Sequence, residues 1–187
     1  TRMLERNLPD LYPNSKYGLR WPIGKMEIID NFKPKELRDY YEKWYRPDNQ
    51  GIIIIGDVDV DRTEAKIKEM FAPIALRKNA AQVVEEPVPD NDQPIIVVDK
   101  DKEQQYSMVE MMFKHDAVPA QMKSNVSYYI YRYVNDVICN MLNQRLSEMA
   151  QKPDCPFAMA ECSNGKYILA KTKNAFSVSA LPKEGQT

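Results

Sequence analysis

Between Asn125 and Ala150 an apolar stripe runs without a break through Val126, Tyr129, Ile130, Tyr133, Val134, Val137, Ile138, Met141, Leu142, Leu146 and Met149. Spacings of three and four residues place these side chains on one side of a helix, and Ser124 is positioned to cap its start. A stripe this wide belongs to a helix laid across a sheet, because a lone partner helix would cover only a narrow seam. Pro153 and Pro156 then break the chain, and Phe157–Cys162 and Asn174–Leu181 read as strands. In the second of these, Phe176, Val178 and Ala180 alternate with small polar residues, the pattern of a half-exposed antiparallel strand. Upstream, Ile95–Asp99 and the methionine-rich Tyr106–Phe113 read as two more. The order is strand, strand, long helix, strand, strand.

The first part of the chain has a different rhythm. A short helical stretch gives way to the turn-rich Leu11-Tyr12-Pro13-Asn14-Ser15 before Tyr17. Pro34 opens a helix whose apolar residues Leu37, Tyr40, Tyr41, Trp44 and Tyr45 share one face, and Arg46-Pro47 ends it. Gly51-Ile52-Ile53-Ile54-Ile55-Gly56 reads as a strand buried on both faces, since a β-branched run bounded by glycines suits a covered sheet. Asp61 and Glu64 form a capping pair for a following helix that carries Ala65, Ile67, Met70 and Phe71. Pro73, Pro87, Pro89 and Pro94, interleaved with Glu85-Glu86 and Asp90-Asn91-Asp92, then mark an extended linker. The expected division is therefore 1–72, a proline-rich linker at 73–94, and 95–187. Helix, strand and helix over a sheet make the fold class α+β or two-layer α/β, with mixed, mostly antiparallel sheets covered by helices.

Composition excludes several functions. Of 187 residues 43% are apolar and 28% charged, with a net charge of −1, so the chain is neither disordered nor a basic nucleic-acid binder. The longest apolar run, Ile52–Ile55, is far shorter than the ~20 residues of a membrane span. The sequence opens within a helical pattern and stops at Gly185-Gln186-Thr187 without a closing element, the expectation being a fragment of a longer protein. Cys139, Cys155 and Cys162 cannot all pair with one another, and with His115 they lack any C-x₂-C spacing for zinc. Cys139 falls on the apolar helix face, where a free thiol behaves as a small hydrophobe.

His115 is the single histidine and reads as an exposed loop residue beside Asp116. A two-histidine metal helix cannot be built from it, and no G-x-S-x-G turn is present. Gly56 follows a strand and precedes a helix, yet Asp57 and Asp59 would meet phosphate with negative charge, so that turn is structural. Tyr129 and Tyr133 read as core; Tyr128 and Tyr131, off the stripe, read as shielding the helix flank or meeting a partner.

One set of motifs is more specific. Arg20-Trp21-Pro22-Ile23-Gly24, Phe32-Lys33-Pro34 with Leu37 and Tyr40-Tyr41, Trp44-Tyr45-Arg46-Pro47-Asp48-Asn49, and Ile52–Ile55-Gly56-Asp57-Val58-Asp59 follow one another in order. Together with Leu8-Pro9 and Tyr12–Tyr17, they resemble the latter part of the peptidase domain in pitrilysin/insulinase-type zinc peptidases. Leu142-Asn143-Gln144-Arg145-Leu146 is similar to the long-helix motif of that family's second domain.

The resemblance implies that residues 1–72 finish a peptidase-type domain and that 95–187 begin a second, inactive-type one. These would be two incomplete LuxS/metallopeptidase-like half units. It implies a parent protein that hydrolyses peptides with zinc held by an inverted H-x-x-E-H helix, its glutamate acting as general base. That motif is absent from this chain and would precede Thr1. No catalytic, metal-binding or cofactor-binding role therefore passes to any residue here, Glu5 and Glu27 included. Expected partners are a peptide or protein substrate of the parent and its remaining domains, with no nucleic acid and no membrane span. Self-association of the chain through edges at Ile52–Ile55 and Phe176–Leu181 is a further expectation. Bacterial relatives of this kind point to the periplasm or cell envelope. The alternative is a non-catalytic homologue serving as an interaction or scaffold subunit.

Overall fold

The computed structural model describes residues 2–185; Thr1, Gln186 and Thr187, where the sequence reading sees open ends, lie outside the described residues. In chain order the helices and strands are α1 (Arg2–Leu11), α2 (Met26–Asn31), α3 (Pro34–Trp44), α4 (Val60–Phe71), β1 (Val109–Asp116), α5 (Val126–Ala150), β2 (Phe157–Lys166) and β3 (Lys173–Pro182). They form two compact units, one of residues up to Pro22 together with those from Glu85 onward, the other Ile23–Val84.

The unit Ile23–Val84 is helical. Glu36 closes the first turn of α3 by accepting from the backbone N–H of Lys33 at 2.8 Å. The far end of α3 explains its Tyr45-Arg46-Pro47-Asp48-Asn49 motif. Arg46, 5% exposed, donates to the carbonyl of Lys43 at 2.9 Å, and the Asn49 amide donates to that of Trp44 at 3.2 Å. Helix ends leave carbonyls without partners, and here two side chains from beyond the helix supply them. Asp48 accepts from Arg46 Nε at 2.9 Å and is thereby held below the ordinary carboxylate range.

The cap of α4 is Asp59, whose carboxylate accepts from the Arg62 N–H at 3.0 Å, rather than the expected Asp61–Glu64 pair. Asp59 is the last extended residue, so its side chain alone can turn back onto the first helical N–H groups. Residues 52–55 form no strand here and are 50–91% exposed. A strand is defined by its hydrogen-bonded neighbours, and among the described residues none lies alongside them.

In the other unit β1, β3 and β2 make a three-stranded antiparallel sheet with β3 in the centre. Phe176–Ala180 is therefore paired on both sides and Leu181 with β2, and the open edges belong to β1 and β2, which corrects the expectation of a free edge at Phe176–Leu181. On one face, Met112 of β1, Ala175 of β3 and Tyr167 after β2 pack with Leu8 and Tyr12 from α1 and its following turn. Gly18 closes against this turn, where an added Cβ would lie 2.9 Å from the Tyr12 carbonyl oxygen. Such an approach to rigid backbone admits only glycine.

Residues 85–101 carry no regular structure and are nevertheless fastened to this unit. Val88 is buried in the core, Ser15 Oγ donates to the Pro87 carbonyl at 2.8 Å, and Lys114 Nζ to that of Pro89 at 2.8 Å. Prolines remove backbone donors and prevent a ladder, so side chains from the helix and sheet bind the carbonyls instead. Ile95–Asp99 likewise forms no strand.

On the opposite face α5 crosses the sheet along β2. Its less exposed residues are Tyr128, Asn135, Cys139, Asn143, Leu146 and Ala150, a seam of mainly small or polar side chains. The aliphatic and aromatic stripe lies to one side and stays open, with Tyr129 at 61%, Ile130 at 59% and Tyr133 at 70% exposure. This overturns the expectation that Tyr129 and Tyr133 are core.

Candidate functional site

The titratable groups singled out in the sequence gather mainly around the sheet. His115 is a half-buried strand residue, not an exposed loop residue, because β1 continues to Asp116 through its pairing with β3. Its Nε2 lies 2.9 Å from Asn164 Oδ1 on β2. Asn164 Nδ2 in turn donates to Asn135 Oδ1 at 2.8 Å, and Asn135 Nδ2 donates to the Tyr131 carbonyl at 2.8 Å. That carbonyl can only accept, so it sets the direction of both amides and makes His115 Nε2 the donor. The other ring nitrogen lies 3.1 Å from the Asp116 carbonyl. Cys139 faces β2 from α5, Cys162 is buried on β2, Cys155 is buried in the intervening turn, and all three are free.

These donors do not fit a zinc ion. Among the described residues no three His, Cys, Asp or Glu side chains converge, and both nitrogens of the single histidine face protein oxygens. Glu5 and Glu27 are exposed on α1 and α2.

A buried tyrosine pair is the feature that sequence reading missed. Tyr12 Oη donates to the Tyr167 carbonyl at 2.6 Å and accepts from the N–H groups of Leu169 at 2.7 Å and Ala170 at 3.1 Å. Tyr167 Oη returns the contact by donating to the Leu11 carbonyl at 2.8 Å. The rings meet edge to face with centroids 5.2 Å apart. Burial raises both phenols, Tyr167 to about 12. The partners are 155 residues apart, so no local pattern announces them.

Charged clasps hold the rim. Lys173 Nζ sits between Asp90 at 2.8 Å and Asp116 at 2.7 Å, which explains why β3 begins with a lysine whose side chain is only 9% exposed. Arg6 forms a two-pronged pair with Asp99, both contacts at 2.7 Å, and Arg2 reaches Asp101 at 2.7 Å. The Arg6 contact holds Asp99 at about 2, against the ordinary 3.8. Because the folded value lies below the unfolded one, this clasp contributes stability at pH values above about 4. The contribution drains away as pH falls toward 2. The Asp99 carboxyl carbon, followed by NMR, is expected to titrate near 2, and D99N to flatten the urea midpoint between pH 4 and 2. Titration of Asp99 near 4 would refute the clasp.

The remaining feature is apolar surface. Val109, Met111 and Phe113 alternate along β1 on the sheet face that carries α5, and each is more than half exposed. The stripe of α5 is likewise uncovered among the described residues. No helix among the described residues is long and apolar enough to cross a membrane.

The family model described as the peptidase M16 inactive domain matches residues 31–151, more than half of the sequence. The chain belongs to the peptidase M16 family. It is 47% identical over 55 residues to the probable zinc protease PqqL of Haemophilus influenzae, a match covering 29% of this chain and 6% of that protein. It is 26% identical over 150 residues to PqqL of Escherichia coli, covering 80% of this chain and 16% of that one. The crystal structure of the periplasmic protease PqqL from Escherichia coli superposes with a TM-score of 0.79 at 22% identity, over 97% of this chain and 20% of that one. The ferredoxin protease FusC, solved in complex with Arabidopsis ferredoxin, gives 0.67 at 22% identity, with 97% and 20% covered. The chain thus spans a small part of the M16 proteins it matches.

Membership gives the α3 cap its context. The match takes in α3, the Arg46–Asn49 cap, residues 52–55, α4, β1 and all of α5. Within the matched stretch, Arg46 and Asn49 each donate to a carbonyl that α3 leaves open.

Proposed function

We propose that this M16 chain is a non-catalytic, structural stretch of a zinc-dependent peptidase that hydrolyses peptide bonds with metal-activated water. The match to the inactive-domain model over residues 31–151 carries this reading, and the scattered donor set supports placing the metal outside the chain. In such an enzyme the bound zinc makes a water acidic enough to ionise near neutral pH. The residues described here provide packing around the substrate chamber. The names of the PqqL relatives support the zinc peptidase activity. Peptide or protein is the substrate class, supported by the protein bound to FusC. The bacterial periplasm is the proposed compartment, from the description of the Escherichia coli relative. Residues 1–72 are proposed to finish the first sequence module, 73–94 to link, and 95–187 to begin the second. Further domains of the parent are proposed to cover the open side of α5 and β1.

The full-length protein is expected to cleave a peptide mixture, to lose at least tenfold of that rate to a chelator, and to regain it with zinc. Chelator-independent cleavage would overturn the zinc mechanism. Absence of cleavage by metal-loaded protein would favour the scaffold-subunit reading, to which the extensive open apolar side lends its own support.

A further inference from the structure

Asparagines of α5 fasten the helix to β2 at two points. Asn135 and Asn164 form one rung, joined at 2.8 Å. Asn143 forms the other clamp, its Oδ1 accepting from the Cys162 N–H at 2.7 Å and its Nδ2 donating to the Cys162 carbonyl at 3.0 Å. Cys139 is the helical residue between those anchors, and the Cys162 thiol lies 3.6 Å from its carbonyl oxygen. Asparagines on either side of Cys139 thus fasten α5 to β2 where Cys162 lies, and the Cys162 thiol donates to the Cys139 backbone carbonyl. Cys155, one turn of chain away, is outside this ladder.

We propose that Cys139 and Cys162 are a modification site: they close an intramolecular disulfide that ties α5 to β2, by exchange with a disulfide oxidant such as oxidised glutathione or a protein disulfide. The Cys139 thiolate, the more exposed of the two, attacks one sulfur of the oxidant and releases the other half as a thiol. The Cys162 thiolate then attacks the Cys139 sulfur of the mixed disulfide and expels the second thiol. Two S–H bonds give way to one S–S bond, and both electrons and both protons end on the two thiols of the reduced oxidant. Burial, with the neighbouring Cys139 second, pushes the Cys162 thiol up. The closing step therefore quickens as pH rises from 7 to 9, by up to tenfold per unit.

The test is oxidation of the full chain by glutathione buffers, acid quenching, alkylation of remaining thiols in denaturant, and peptide mapping. The native chain is expected to lose alkylation at Cys139 and Cys162 while Cys155 stays alkylated. The oxidised form should melt roughly 5–12 °C higher, reversibly with dithiothreitol. C155S should keep the cross-link, and C139S and C162S should abolish it. Denatured chain provides the contrast, because loop closure there favours the short Cys155–Cys162 loop. A stable glutathione adduct on Cys139 without closure, or a native cross-link that uses Cys155, would overturn the proposal. The mapping of unmutated protein decides the matter even if a serine variant folds poorly.

Discussion

Tyr12→Phe is expected to destabilise the sheet-containing unit by about 2–3 kcal/mol, a large cost for the loss of one oxygen atom. The ring is 1% exposed, so the phenylalanine fills the same space and opens no cavity. The loss is confined to hydrogen bonds. Ala170 N–H keeps a second acceptor in the Tyr167 carbonyl at 2.9 Å, whereas Tyr12 Oη is the acceptor the structure gives the N–H of Leu169. That donor is left part-buried and unpaired, at about 1–3 kcal/mol. The hydroxyl also governs backbone conformation. Ile168 holds φ at +52°, a region that a β-branched residue occupies only under constraint. The Tyr12 contacts to the next two N–H groups supply that constraint. Tyr167→Phe removes a single donation to Leu11 and is expected to cost about 1 kcal/mol. Urea denaturation of the two variants tests the ordering; an equal or larger loss for Tyr167→Phe would show that the strained turn does not hang on Tyr12.

Leu8→Ala is expected to cost about 2–5 kcal/mol in the same assay, while Ile130→Ala stays within about 0.5 kcal/mol. Leu8 is 1% exposed and sits among Tyr12, Val88, Tyr167, Ala170 and Ala175, so truncation leaves a cavity lined from several elements. Ile130 belongs to the stripe that a helical wheel puts in the core, yet it is 59% exposed. Its truncation removes surface that is already wet. In the full-length protein, where further domains are proposed to cover that side, the cost of Ile130→Ala is expected to rise above 1 kcal/mol. An equal cost in both settings would mean that the stripe remains open.

Much of the architecture was legible because it rests on short-range chemistry. Pro34, the 3.6-residue stripe of α3 and the Arg46-Pro47 break delimit that helix, and the long stripe ending before Pro153 delimits α5. Alternation at Phe176, Val178 and Ala180 marked β3 as antiparallel. The ordered motifs from Arg20 to Asp59 marked the family. Illegible features depended on partners distant in sequence. Periodicity says that Tyr129 and Tyr133 share a face with other apolar groups, but it cannot say which face meets the sheet. His115 became a strand residue through β3, and the proline-rich 85–101 was fastened by side chains of Ser15, Arg6 and Lys173.

The sequence by itself determined the helices α1, α3, α4 and α5, the strand that alternates, the absence of a two-histidine zinc helix from the chain, and the peptidase family its motifs belong to. Each follows from residue types at fixed short spacings. Only the tertiary structure decided that Tyr12 locks the turn after β2, that the small and polar seam of α5 faces β2, and that Cys139 stands opposite Cys162. Hydrogen-bond partners and buried faces are selected by where separate segments come together in space, and a one-dimensional pattern carries no distance between them.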